Sequence, residues 1–138
     1  EFHDLGKVAI PEDLLAAPRA LTDAERLFVD EHARFSADLM RAAGVQDRVA
    51  RVVERHHDRY DERHRARYGR AHLPMDTDLV MILAVADSVV AMTSDRPYSV
   101  RKSVLQALSE VYRERGGQFD PQVVDALHRL HHATTQAA

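Results

Sequence analysis

The sequence contains no cysteine among its 138 residues. A disulfide framework and a thiolate metal site are therefore excluded, and any metal ion would have to be bound by histidine and carboxylate side chains. The chain also lacks a surplus of basic residues, since 19 Lys and Arg stand against 22 Asp and Glu for a net charge of −3. This balance does not predict a binding surface for DNA or RNA polymers.

Long apolar runs are missing as well. The longest run, residues 79–86, is interrupted by Asp87 and Ser88 and resumes only as far as Met92, whereas a bilayer-spanning helix needs about 20 apolar residues. The N-terminal residues do not show the charged region and apolar core of a signal peptide. We expect a cytoplasmic protein without a membrane segment. The composition, 45% hydrophobic and 30% charged, indicates a single globular domain.

Helical patterns run through most of the chain, and no strand-like alternation is present, so we expect an all-α bundle. Thr22 and Glu25 form a capping box that starts one helix, and Asp120 precedes Pro121 in the pattern of an N-cap followed by a first helical residue. The segment 76–92 is apolar almost all round, which predicts a helix buried in the middle of the bundle.

Several histidine and aspartate residues are candidate metal ligands. His3 and Asp4 are adjacent near the start of the sequence. Asp87 is a carboxylate inside an apolar helix, where it needs an arginine partner or a divalent ion to stay charged. His32 lies on the apolar stripe of a helix predicted over 22–43 and, taken alone, would be an ordinary core histidine.

His56 and His57 fall in a helix predicted over 46–58. Adjacent residues on a helix point about 100° apart, so we expect this pair to ligate two different ions, or one ion and a phosphate. The candidate residues together are rich in the nitrogen and oxygen donors that bind Fe, Mn or Zn. Two such ions suit phosphodiester hydrolysis. By contrast, we expect the C-terminal residues His128, His131 and His132 to be surface side chains.

A resemblance links these motifs across almost the whole chain. The segments that carry it are, in order, residues 3–11, 21–25 with His32, 56–61, 82–87, 91–98 and 117–121. In sequence and spacing they resemble the HD-GYP family, a branch of the HD-domain metal-dependent phosphohydrolases. The resemblance implies an all-α, HD-type helical bundle from a bacterial signalling protein that hydrolyses cyclic di-GMP, with two divalent ions (Fe or Mn, with Zn or Mg as alternatives).

The resemblance also implies roles for individual residues. Asp4 would bridge two ions and act in catalysis together with Lys7, which would lie near the substrate phosphate. Arg96 would contact a substrate phosphate, a task that suits the planar guanidinium. The implied metal ligands are His3, Asp4, His32, His56, His57 and Asp87.

Two departures from the family pattern shape the expected function. The family has further helices before the His–Asp pair, so we expect residues 1–138 to be one HD-GYP-like domain that lacks its N-terminal helices. Where the glycine-rich GYP segment should follow Asp61, the chain has Glu62–Ala66, which resist the backbone conformations open to glycine.

Two hypotheses therefore stand. One is a cyclic di-GMP phosphodiesterase that yields a linear dinucleotide or GMP, placed behind a receiver or sensory domain and forming a homodimer. The other is a catalytically degenerate signalling or protein-interaction module.

Overall fold

The computed structural model describes residues 2–61, 76–94 and 100–136. No strand occurs within these ranges, apart from a lone bridge between Arg115 and Phe119, and the predicted all-α class is confirmed. The described ranges contain a 3-10 helix, Phe2–Ala9, and seven α-helices: α1 Glu12–Leu15, α2 Asp23–Asp30, α3 His32–Ala42, α4 Asp47–Glu54, α5 Thr77–Thr93, α6 Val104–Arg113 and α7 Pro121–Gln136. The segment Glu62–Ala66 and Arg96 lie outside the described residues.

The chain divides into two compact units, and the described residues of the first unit are 2–57. In this unit the 3-10 helix and α4 both pack against α3. The α3–α4 contact is made by small and flexible side chains, Ala37 and Met40 on α3 with Ala50 and Val53 on α4. Small side chains such as the two alanines allow a close approach of two helices. Because both the 3-10 helix and α4 pack against α3, α3 positions the other two elements.

In the second unit α5 packs against α6 and α7, around a core of Val85, Val111, Phe119 and Val124. The prediction that α5 is buried all round is wrong. Among the described residues of this helix, Ile82 and Val90 are 51% and 60% exposed.

Local capping rules place several helix ends where the sequence predicts them. The Thr22 hydroxyl accepts from the Glu25 N–H at 3.3 Å, while the Glu25 carboxylate accepts from the Thr22 N–H at 2.8 Å. The Asp120 carboxylate accepts from the Gln122 N–H at 2.7 Å at the start of α7. Both predicted starts are confirmed.

Two predicted helix bounds are wrong, and both errors lie next to a histidine. The helix predicted over 22–43 is interrupted at Glu31, and the helix predicted over 46–58 ends at Glu54. At the first break the His32 ring Nδ1 lies 2.6 Å from the carbonyl oxygen of Val29. In an uninterrupted helix this oxygen would accept a hydrogen bond from the backbone N–H of the residue four positions later. A ring that competes for the last carbonyls favours termination of the helix.

Candidate metal centre

The candidate metal centre lies in the first unit. Three elements contribute to it: the 3-10 helix, the start of α3, and the turn that follows α4. The residues that they bring together are His3, Asp4 and Lys7, then His32, then His56 and His57.

His56 and His57 lie in a turn and not on a helix, so the expected divergence of their side chains does not apply. Their ring centroids are 3.9 Å apart. One ligand atom from each of His32, His56 and His57 lies within 4.8 Å of the others. The turn lets both rings approach one point, so the helical divergence from which we expected two separate ligands is absent. Which ligands the two rings bind stays a prediction.

The Nδ1 atoms of two rings are engaged by main-chain carbonyls. His32 Nδ1 lies 2.6 Å from the oxygen of Val29, and His56 Nδ1 lies 2.6 Å from the oxygen of Val53. A carbonyl oxygen only accepts, so Nδ1 must carry the proton in both rings. Nε2 is then the nitrogen that faces the site, which is the tautomer that metal-ligating histidines adopt when an outer partner holds the other nitrogen.

Asp4 faces the same point from the 3-10 helix. Its Oδ1 lies 3.2 Å from His32 Nε2, and its Oδ2 lies 2.7 Å from Lys7 Nζ and 3.7 Å from His3 Nε2. Burial alone raises the pKa of the Asp4 carboxyl, but its polar contacts with His32 and Lys7 and the charge of Lys7 outweigh burial and hold the pKa well below its usual range. Asp4 is thus an anion at neutral pH.

The donor set fits a divalent cation. His32 Nε2 lies 3.2 Å from Asp4 Oδ1 and 3.4 Å from His57 Nε2, so its lone pair faces acceptor atoms unless a proton or a cation lies between them. Two ligands that each lie about 2.1 Å from one ion are separated by about 3.0–3.4 Å. The distances and the chemistry of the donors therefore both suit a borderline transition-metal ion.

Gly6 places Asp4 and Lys7 in this arrangement. Its N–H donates to the Ser36 hydroxyl at 2.7 Å in a buried contact. A Cβ atom at this position would lie 2.1 Å from the carbonyl oxygen of His32 and 2.6 Å from the Ser36 nitrogen. Only glycine lets the 3-10 helix approach the backbone of α3 this closely.

The remaining predicted residues are distributed as follows. The His3 ring is largely buried and lies 5.0 Å from the His56 ring, centroid to centroid. Asp87 lies half-buried on α5 in the second unit, and Arg96 lies outside the described residues. The surface prediction for His132 is confirmed, while His128 is half-buried and packs edge-on against Tyr112 at 5.1 Å.

Sequence reasoning did not identify Ser36 or the main-chain carbonyls of Val29 and Val53 as parts of the site. A signal for the carbonyls does exist in the sequence. In both cases the histidine follows its carbonyl partner by three residues at the end of a helix, where unpaired carbonyls are expected. Ser36 lies one turn beyond His32, on the buried face of α3, and small polar residues at such positions often bond a neighbouring backbone.

No helix among the described residues is long and apolar enough to cross a membrane.

Comparison with known proteins agrees with this picture. The HD domain family model matches residues 2–123. The cyclic di-GMP phosphodiesterase response regulator RpfG of Xanthomonas campestris is 38% identical over 137 residues, which cover 93% of this chain and 34% of that protein. A cyclic di-GMP phosphodiesterase of Thermotoga maritima is 30% identical over 132 residues, covering 94% of this chain and 35% of its own length.

A 3'3'-cGAMP-specific phosphodiesterase of Vibrio cholerae is 31% identical over 129 residues, which cover 92% of this chain and 29% of that protein. The chain thus spans about a third of the length of the curated relatives that it matches. The family match covers both units, and the predicted resemblance is confirmed. The chain belongs to the HD-domain family.

Proposed function

We propose that the protein is a metal-dependent phosphodiesterase that hydrolyses cyclic di-GMP to a linear dinucleotide or GMP. The observation that carries the proposal is the approach of the ring nitrogens of His32, His56 and His57 to one another beside the ionised carboxylate of Asp4. The names of the Xanthomonas and Thermotoga relatives support the substrate. A cytoplasmic location belongs to the same proposal.

The proposed cofactor is a pair of divalent ions, Fe or Mn, with Zn or Mg as alternatives. Such ions polarise a phosphoryl oxygen and make a bound water acidic. The proposed ligands are the three histidines above with His3, Asp4 and Asp87. His3 is supported by the closeness of its ring to that of His56, and Asp87 is supported by the sequence motif on α5.

The side chains of this chain have defined tasks in the proposed reaction. The carbonyls of Val29 and Val53 fix two imidazole rings with Nε2 toward the site. His32 and His56 are 3% and 2% exposed, so they are shielded from water, and electrostatic interactions are stronger in such surroundings.

Lys7 is proposed to bind the scissile phosphate. Its ammonium group is 2.7 Å from Asp4 Oδ2 and has three N–H donors. One donor serves Asp4, and the others can face the oxygens of a phosphate that enters beside the carboxylate. Arg96 is proposed as a second phosphate ligand on the family motif.

The decisive assay is anaerobic hydrolysis of cyclic di-GMP by the chain loaded with Fe²⁺ or Mn²⁺, with product separation and 3'3'-cGAMP as a parallel substrate. Turnover that is lost in Asp4→Asn and kept in Asp30→Asn supports the enzyme, since Asp30 is an exposed carboxylate at the end of α2. An absence of turnover with both ions refutes it for this chain.

One observation favours a second candidate function. Residues Glu62–Ala66 stand where the family has its GYP segment, which is the pattern expected of a degenerate signalling or protein-interaction module. Metal bound without turnover would support that alternative.

A single HD-GYP-like domain, a preceding receiver or sensory domain and a homodimer are further parts of the proposal. The family match over residues 2–123 supports the first, and the name of the response regulator supports the second.

A further inference from the structure

Arg41 holds both ends of α4 from a single position on α3. Its Nε donates to Asp47 Oδ1 at 2.9 Å, and its Nη2 donates to Glu54 Oε2 at 2.6 Å. Asp47 and Glu54 are the first and last residues of α4. A third donor, Nη1, lies 3.2 Å from Asp38 Oδ1 on α3 itself. The guanidinium is therefore also held by a carboxylate of its own helix.

This arrangement restricts how α4 can move on α3. Asp47 and Glu54 are seven residues apart, so they lie on one face about 10 Å from each other along the axis. The apolar part of the contact consists of two alanines with Met40 and Val53, and such small, smooth surfaces define the register of two helices poorly. A planar fork that binds two carboxylates has directional requirements and fixes that register.

The register of α4 determines where two candidate ligands lie. His56 follows Glu54 by two residues, and both its N–H and its ring Nδ1 are directed to the carbonyl of Val53 in the last turn of α4. His32, on the other side of the site, begins α3. The spacing between His32 and the His56–His57 pair is therefore set at the α3–α4 contact.

The ion pairs themselves contribute little to stability. Arg41, Asp47 and Glu54 are 33%, 58% and 36% exposed, and water and salt screen ion pairs of this kind. A merely stabilising role for Arg41 would therefore leave the metal centre unchanged when Arg41 is replaced. A role in geometry would change the site more than the stability.

We propose that Arg41 is a positioning residue for the candidate metal centre, and that by holding Asp47 and Glu54 it sets the distance between His32 and the His56–His57 pair. This inference rests on the proposed metal centre and not on the identity of the substrate. Metal sites tolerate small errors only, about 0.5 Å in the position of a ligand. A shift of α4 that scarcely alters folding is large on this scale.

The test compares Arg41→Met with Arg115→Met in the full chain. Arg115 is a matched control because it donates to both carboxylate oxygens of Asp125, at 2.8 and 2.6 Å, in the second unit. Both proteins are titrated with Co²⁺ under anaerobic conditions and followed by the visible d–d absorption. We expect the Co²⁺ affinity of Arg41→Met to fall about tenfold or more with an altered spectrum, and Arg41→Lys to recover part of the loss.

A second readout does not depend on metal. In the metal-free chain, ¹⁵N spectra of the histidine rings should show larger changes for His32 and His57 in Arg41→Met than in Arg115→Met. If the wild type binds no Co²⁺, the metal centre is refuted, and the ring spectra still decide the part played by Arg41. Glu54→Gln keeps the side-chain size and should act in the same direction, which covers the case in which Arg41→Met fails to fold. The proposal would be overturned if the ring spectra of Arg41→Met and Glu54→Gln were unchanged from wild type. It would also be overturned if the Co²⁺ affinity of these two variants lay within about twofold of wild type.

Discussion

Replacing Gly6 by alanine tests how the 3-10 helix is docked, because the structure specifies what the added methyl group meets. It would lie 2.1 Å from the carbonyl oxygen of His32, 2.6 Å from the nitrogen of Ser36 and 2.8 Å from Cβ of Phe35. Favourable contacts to carbon begin near 3.5 Å. Two of the three atoms belong to the backbone of α3 and cannot rotate away, so the 3-10 helix must move off α3 by about 1 Å or more.

The cost has two parts. Overpacking of this kind destabilises by about 1–3 kcal/mol. The displacement also breaks the buried hydrogen bond from the Gly6 N–H to Ser36, and an unpaired buried donor costs about 1–3 kcal/mol. We therefore expect the free energy of unfolding to fall by about 2–6 kcal/mol. Asp4 lies on the same 3-10 helix, so the shift also exceeds the tolerance of a metal site.

Urea denaturation followed by circular dichroism and Co²⁺ titration measure the two consequences. Gly44→Ala is the matched control within the same unit, because Gly44 has φ +78° and no atom within 4 Å of an added Cβ. Its cost is confined to backbone strain of about 1–2 kcal/mol, and its metal affinity should equal that of the wild type. The reasoning is refuted if Gly6→Ala is no less stable than Gly44→Ala and binds Co²⁺ as tightly.

Three further predictions concern the ligands and one helix start. His56→Ala should reduce the metal bound per chain in elemental analysis, whereas His131→Ala should not; equal metal contents would contradict the site. Asp87→Asn should also reduce the metal bound per chain. The control is Asp78→Asn, whose carboxylate is exposed on the same helix and whose loss should leave the metal content unchanged. If Asp87→Asn binds as much metal as the wild type, Asp87 is not a ligand. Hydrogen bonds from a neighbouring arginine and from the N-cap residue lower the pKa of Glu25 to about 2 from 4.5. The ionised Glu25 carboxylate therefore contributes stability that is present above pH 4.5 and lost as the pH falls toward 2. In Glu25→Gln the free energy of unfolding should depend less steeply on pH between these values. An unchanged pH dependence would contradict this prediction.

Helix starts could be predicted because their causes are local. The capping box of Thr22 and Glu25 needs two residues three positions apart, and the start of α7 needs only Asp120 before Pro121. The end of α4 could not be predicted by the same rules. It involves the ring of His56, which competes for the carbonyl of Val53 and leaves the His56–His57 pair in a turn.

The residue types of the candidate site were predictable, but their support was not. His32 was expected on an apolar face and is indeed buried, since it shares one face of α3 with the buried residues Ala33, Ser36 and Met40. Gly6 and Ser36 act through a contact between residues 30 positions apart, and a close approach of two backbones leaves no periodic pattern in either segment. The exposure of Ile82 on α5 likewise depends on how many neighbours a helix has, which its own composition does not specify.

We expect metal binding and turnover to depend on different parts of this sequence. The histidines and Asp4 of the first unit are supported by helix-end carbonyls and by the close contact of Gly6 with α3. The departure from the family pattern falls at Glu62–Ala66, in the segment that follows the His56–His57 motif. None of the candidate donor atoms of the metal centre belongs to that segment. Loss of activity together with retained metal would therefore assign the defect to that segment, whereas loss of both would assign it to the docking of the 3-10 helix or of α4 on α3.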